Sequence, residues 1–90
     1  MIEIFLLEQL DAFARKGSLQ QAAAELHLSQ PALTRSMKKL ESILGVSLFQ
    51  RSSSKIVLNE TGKVAAEYAR RVLEGAAKIS GYLQAIPQGV

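Results

Sequence analysis

From Ser18 to Arg51 the chain reads SLQQAAAELHLSQPALTRSMKKLESILGVSLFQR, and its punctuation leaves the backbone few choices. Ser18 is a good N-cap, with Gln21 three residues on completing a capping-box pattern. Ser29 is the next N-cap, and Pro31 falls in the first turn behind it, where its missing N–H has no partner to lose. Gly17 and Gly45 suit the left-handed positions that end helices. These signals predict two helices joined by a tight elbow at His27-Leu28, then a short extended arm. Ala22, Ala23 and Leu26 form the inner side of the first helix. The alanines let two helices cross closely, as a helix-turn-helix elbow requires, and Leu28 is expected to plug the core.

The second helix of the pair, about residues 30–44, is two-sided. Leu33, Met37, Leu40 and Leu44 follow one another at i, i+4, i+7 and i+11 and form an apolar stripe. Pro31, Arg35, Lys38 and Ser42 point the opposite way, with Thr34 on the flank and Gln30 at the leading tip. A helix anchored by one face and polar and basic on the other is suited to enter a DNA groove.

The flanking segments complete a mainly α fold. Leu7, Leu10, Phe13 and Ala14 recur at helical spacing and predict a first helix of roughly Glu3 to Lys16. After Gly45, VSLFQR and KIVLN are β-prone runs separated by Ser52-Ser53-Ser54, which predicts a two-stranded hairpin. Such a ribbon is unstable alone and must lean on the helices, through Leu48, Phe49, Ile56 and Leu58. Asn59 can cap a last helix from Glu60 to about Ala85, stopped by Pro87. In that helix Ala65, Val72, Ile79 and Ile86 are seven apart, Tyr68, Gly75 and Tyr82 fall three residues later, and Ala69, Ala76 and Leu83 widen the stripe. The pattern resembles a weak a/d seam for a second copy of the chain; a helix packed along its own domain is the alternative.

Ninety residues suffice for one domain with a modest core, and 48% hydrophobic with 21% charged residues is a globular composition. No apolar run approaches the ~20 residues of a membrane span. The short IFLL near the start has no basic residues before it, which argues against a secretory signal. With no cysteine there is no disulfide and no thiolate metal site, compatible with a cytoplasmic setting. The net charge of +3 is small but uneven. Residues 29–63 hold six cations (Arg35, Lys38, Lys39, Arg51, Lys55 and Lys63) against two acids, a net +4, and the remainder holds five cations against six acids, a net −1. A polyanion partner is one reading, and a solvated lysine-rich surface is the other.

At this point the chain resembles the DNA-binding region of LysR-type transcriptional regulators. The resemblance rests on Leu7, Leu10 and Phe13, Gly17-Ser18, Ala22-Ala23, Leu26, the run Ser29-Gln30-Pro31-Ala32-Leu33, Leu40-Glu41, Leu44-Gly45, Leu48-Phe49, Arg51, Leu58 and Gly62, and covers about residues 2–85. It implies a winged helix-turn-helix, three helices plus a two-stranded β wing, over residues 1–58. A linker helix over 59–86 pairing antiparallel with its twin and a tail at 87–90 complete it. In such regulators an effector-sensing domain follows the linker helix. The chain ends where that domain would begin, as an excised portion or as a naturally truncated relative. A small-molecule effector is therefore expected only through a domain missing here, and no cofactor, metal or membrane partner is expected.

By the family pattern, Gln30, Pro31, Thr34 and Arg35 are the base-reading positions. Gln30 suits the N7 and N6 edge of an adenine, and Arg35 a guanine or a phosphate. Pro31 and the Thr34 methyl suit a thymine methyl. A solvated helix start is the alternative for Gln30, and a hydroxyl bond back to its own helix the alternative for Thr34. Ser18, Ser29, Lys38, Arg51 and Lys55 are the phosphate-contact candidates, Arg51 being equally able to brace the wing. Ala65, Tyr68, Val72, Ala76, Ile79 and Leu83 are the dimerisation candidates. Relatives often carry an arginine two to three residues after the Leu-Phe-x-Arg arginine, where it reaches into the minor groove. Here those positions are serines, with Lys55 the nearest cation.

The lone His27 has no nucleophile or ligand partner in view, and no carboxylate pair, phosphate loop or triad-like set occurs, so no catalysis is read. Sequence-specific binding of double-stranded DNA as a homodimer is the first expectation. A winged-helix module that binds protein through the same surface is the alternative.

Overall fold

A computed structural model describes residues 1–87 and Gly89. The order is α1 (Ile4–Lys16), α2 (Leu19–Leu26), α3 (Gln30–Leu44), β1 (Phe49–Ser52), β2 (Lys55–Leu58) and α4 (Glu60–Ala85). Ser18 and Asn59 cap as expected, accepting from the N–H groups of Gln21 at 3.1 Å and Gly62 at 2.7 Å. Gly17 and Gly45 end α1 and α3 in the left-handed conformation. His27 takes the same conformation at φ 57° to end α2, at a position where glycine is usual. Of the tail expected at 87–90, Gln88 and Val90 lie outside the described residues.

One core joins all the elements. Leu6, Leu10, Phe13, Leu33, Leu40 and Leu48 are its largest fully buried side chains, with Ala22, Ala23, Met37, Ala66 and Ala69 between them. The wing leans on this core through Leu48, Phe49, Ile56 and Leu58, and the Phe49 ring meets Phe13 edge-on at 5.1 Å. Four details depart from the sequence reading. Ala14 is exposed, and α1 instead buries Leu6, Gln9 and Ala12 beside Leu10 and Phe13, because one further residue is a rotation of about 100° away from Phe13. Leu44 is 36% exposed, past the end of the stripe. Leu26 and Leu28 are only half-buried and pack at the edge of the core, so Leu28 borders the core without plugging it. Ala69 belongs to the core of its own domain and not to an outward seam.

The hairpin is shorter than its β-prone runs because the first residues after Gly45 bond elsewhere. The Glu41 carboxylate accepts from the Leu48 N–H at 2.7 Å, and the Leu48 carbonyl accepts from the Asn59 N–H at 2.9 Å. The Ser47 carbonyl accepts from the Asn59 side chain at 3.1 Å. The ladder begins at Phe49, opposite Leu58, and ends at Ser52, opposite Lys55. Ser53 and Ser54 make the two-residue turn with φ of 49° and 66°. That is the conformation that the right-handed twist of a hairpin demands and that Asn-Gly fills with least strain.

Helix α4 packs one face on its own domain and leaves another exposed. Gly62, Ala66 and Ala69 are buried against the domain, with Leu73 half-buried further along the same face. Tyr68, Val72, Ile79 and Leu83 are exposed on a face roughly 110° round the helix. Ala65 is half-buried between the two faces, and every residue from Ala76 to Ala85 is exposed.

Two stability predictions follow from this geometry. A Cβ at Gly62 would lie 2.1 Å from the Leu48 carbonyl oxygen, so Gly62→Ala should lower stability by more than about 2 kcal/mol in denaturant titration. An unchanged midpoint would mean that α4 does not rest on that carbonyl. Replacing the wing turn by Ser53→Asn with Ser54→Gly should raise stability by about 1 kcal/mol in the same assay, since serine is strained where φ is positive.

Candidate nucleic-acid interface

The cap at Ser29 fixes where α3 starts and so which side chains stand at its tip. The Ser29 hydroxyl accepts from the Ala32 N–H at 3.2 Å, leaving Gln30 and Pro31 as the leading residues, both exposed. Arg35 and Lys38 continue their side of the helix and are exposed. Thr34 is half-buried on the flank and makes no side-chain hydrogen bond to its own helix among the described residues. It borders a small apolar cavity closed by Phe13, Leu19, Met37, Phe49 and Ile56, with Lys38 and Glu41 also on its wall.

The wing brings a second set of groups to the same side. A groove runs between the start of α2, the start of α3 and the hairpin, and its walls include Ser18, Gln20, Gln30, Arg51, Ser54 and Lys55. Residues far apart in sequence thus share one depression in which polar and cationic side chains face one another. The side chain of Gln20 was not singled out from the sequence, although the backbone of its segment, residues 18–21, is a phosphate-contact candidate. Its signal was its place one residue past the first helical residue after the Ser18 cap, where side chains crowd toward whatever approaches the helix start. Ser18 itself is half-buried and occupied as a cap.

Ion pairing divides the cations more sharply than the sequence could. Arg15, Lys16, Lys39, Lys63, Arg70 and Arg71 all lie within salt-bridge distance of an acid. Among the described residues no acid pairs with Arg35, Lys38, Arg51 or Lys55, and the only other unpaired cation of the chain is Lys78 on α4. Lys39 and Lys63, counted in the basic segment by sequence, are partly neutralised by Glu3 at 3.4 Å and Glu60 at 3.3 Å. The region of free positive charge is therefore narrower than the basic segment and lies on the exposed side of α3 and on the wing. Uncompensated cations on one face raise the local potential and attract a polyanion.

Arg51 is exposed and stands on the groove wall, while the bracing of the wing is carried by Glu41 through the Leu48 N–H and the Ser47 hydroxyl at 3.4 Å. Sequence reading marked Glu41 without assigning it a task. The contact is made across seven residues of chain and depends on how the loop after Gly45 turns. Tyr68, Val72, Ala76, Ile79 and Leu83 are exposed on α4, well away from the groove residues in sequence, whereas Ala65 is partly covered. Among the described residues no group of three His, Asp or Glu side chains is placed to hold a metal ion.

The sequence model of the bacterial regulatory helix-turn-helix proteins of the lysR family matches residues 4–63. The HTH-type transcriptional regulator TcbR of Pseudomonas sp. strain P51 is 40% identical over 88 residues, covering 98% of this chain and 30% of TcbR. The RuBisCO operon transcriptional regulator of Allochromatium vinosum is 36% identical over 80 residues, covering 89% of this chain and 26% of that protein. The chain thus spans less than a third of these relatives. Among solved structures, the CbnR DBD–DNA complex superposes with a TM-score of 0.86 at 40% identity, covering 93% of this chain and 97% of that one. A winged helix-turn-helix followed by a long helix is common to both. By sequence and by fold, the chain belongs to the LysR family of bacterial regulatory helix-turn-helix proteins.

Proposed function

We propose that the chain is the DNA-binding module of a transcriptional regulator and binds double-stranded DNA sequence-specifically as a homodimer. The observation that carries this reading is that the unpaired cations Arg35 and Lys38 lie on the exposed side of α3, while Arg51 and Lys55 of the wing share a groove with Gln30 at the α3 tip. The relatives are named as transcriptional regulators, and the similar CbnR structure is described as a DNA complex.

In this reading residues 1–58 form the winged helix-turn-helix and 59–86 the dimerisation helix. Helix α3 enters the major groove, where Gln30, Pro31, Thr34 and Arg35 contact base edges. Gln30 offers both a donor and an acceptor to adenine, and the Arg35 fork matches guanine. The half-buried Thr34 presents its methyl to a thymine. Ser18, Ser29, Lys38, Arg51 and Lys55 hold phosphates and set the register without reading sequence. The wing approaches the minor groove with Lys55 in place of an arginine, so its share of shape readout is small. Dimerisation uses the outer face of α4, with Tyr68, Val72, Ile79 and Leu83 at its centre and Ala65 and Ala76 at its edges. We place the chain in the cytoplasm, where its DNA would be. Among the described residues no helix is long and apolar enough to cross a membrane. We assign the chain no catalytic step.

Selection of bound duplexes from a random pool, at stated salt, tests the whole reading, and a dyad-symmetric site should emerge. Enrichment of no sequence would favour a protein-binding surface instead. Arg35→Ala should cost roughly 1–3 kcal/mol of specific binding and relax the preference at one position. Lys38→Ala should weaken all sequences alike and reduce the salt slope by about 0.9. Ile79→Glu should leave the circular dichroism of the winged helix intact and give a monomer by sedimentation. A dimer surviving that change would place the seam elsewhere.

A further inference from the structure

A chain of ion pairs ties α4 to α1 and, through Arg15 of α1, to α2. Asp11, the only aspartate, projects from α1 with its side chain 13% exposed and receives two arginines. Its Oδ1 forms an ion pair with Arg70 Nε of α4 at 3.1 Å, and its Oδ2 accepts from Arg15 Nε at 2.9 Å. Arg15 then forks onto Glu25 of α2, with Nη1 donating to Oε1 at 3.1 Å and Nη2 donating to Oε2. Lys16 closes the cluster against Glu25 at 3.5 Å. The Arg15 hydrogen bond holds the Glu25 carboxyl below its usual range.

Most of the rest of the contact between α4 and its domain is made by small residues. Its buried positions on α4 are Gly62, Ala66 and Ala69, with Leu73 half-buried as the one long apolar side chain of that face. Such a face permits close approach but offers little that interlocks to resist rotation in the plane of contact. Gly62 pins one point, beside the Leu48 carbonyl. A second fixed point is needed to define an angle, and the Asp11–Arg70 pair lies two turns further along α4. Small angles matter because α4 is a lever. From Arg70 to Ala85 it runs roughly 23 Å, so a swing of about 9° moves its far end by about 3.4 Å, one base-pair step.

We propose that Asp11 and Arg70 are positioning residues that set the angle between the winged helix and α4, and thereby the half-site spacing the dimer accepts. The inference rests on the reading that the chain binds DNA as a dimer through α4. Arg15 and Glu25 extend the latch into α2, so the orientation of the helix-turn-helix pair is referred directly to the dimerisation helix. Neither Asp11 nor Arg70 stands in the groove or on the outer face of α4.

The test uses duplexes carrying two copies of the half-site obtained by selection, at the selected spacing and at one and two base pairs more or less, beside a duplex with one half-site. Fluorescence anisotropy is measured at fixed salt. The unaltered chain should prefer one spacing sharply. Arg70→Ala should bind the single half-site as before, yet lose about threefold or more of its discrimination between spacings, the range open to one partly exposed charged pair. Arg70→Lys, which keeps the cation, should recover most of it. An unchanged spacing profile in Arg70→Ala overturns the latch, as does equal loss on the single half-site, which would mark a merely structural contact. A spacing-independent profile in the unaltered chain overturns the dimeric reading itself and the latch with it.

Discussion

The backbone of Leu48 is the point on which the separate parts of the molecule depend. Its N–H donates to Glu41 on α3, its carbonyl accepts from Asn59 at the start of α4, and its side chain is fully buried in the core. Gly62 lies so close over that carbonyl that no side chain fits there. One residue of irregular chain therefore fixes α3, the wing and α4 relative to each other. Loop backbone buried without partners would be costly; here each polar group is assigned to a different element, which turns that requirement into a junction. The wing is only a two-stranded ribbon and has no independent stability, so its position beside α3 follows from this junction and from the Phe13–Phe49 contact.

Charge is distributed by the same economy of placement. The net charge of the chain is small, and a count by segment locates it only approximately. Folding pairs the cations of α1 and most of those on α4 with acids, Arg15, Lys16 and Arg70 across to another helix and Lys63 and Arg71 within α4. The cations left over stand on the exposed side of α3 and on the wing, apart from Lys78. A surface intended for phosphate needs charge that is not already satisfied, and the fold supplies it by keeping acids away from Arg35, Lys38, Arg51 and Lys55. In the proposed function, recognition of base edges and attraction of phosphate are separate tasks, the first assigned to Gln30, Pro31, Thr34 and Arg35 and the second to the cations and serines around them. The serine turn weakens the wing in two respects, by backbone strain at Ser53 and Ser54 and by the lack of an arginine at its tip.

Much of this was legible in the sequence because caps are local devices. The bounds of α3 and α4, the caps at Ser18, Ser29 and Asn59, and the glycines at 17 and 45 are each settled by a few neighbouring residues. Periodicity was less reliable where several elements compete for one helix. It placed Ala14 and Leu44 inside, whereas α1 turns a face centred nearer Phe13 and α3 outruns its cover by Leu44. The heptad-like pattern of α4 read as a choice between an outward seam and packing at home. The structure packs one face of the helix, Ala69 included, on its own domain and leaves another exposed.

The sequence by itself determined the element order, the capped helix-turn-helix, the exposed tip from Gln30 to Arg35 and the family, since each is carried by short-range chemistry or by a contiguous motif. Only the tertiary structure decided which cations remain unpaired, because an acid such as Glu3 reaches Lys39 across 36 residues of chain. It alone drew Ser18, Gln20, Gln30, Arg51 and Lys55 into one groove and gave Glu41 its place beneath the wing. It alone brought Arg70 to Asp11, which already faces Arg15 at i,i+4 on its own helix. Contacts of that range depend on the angles at which helices cross, and those angles are set by packing of the whole core rather than by any segment of it.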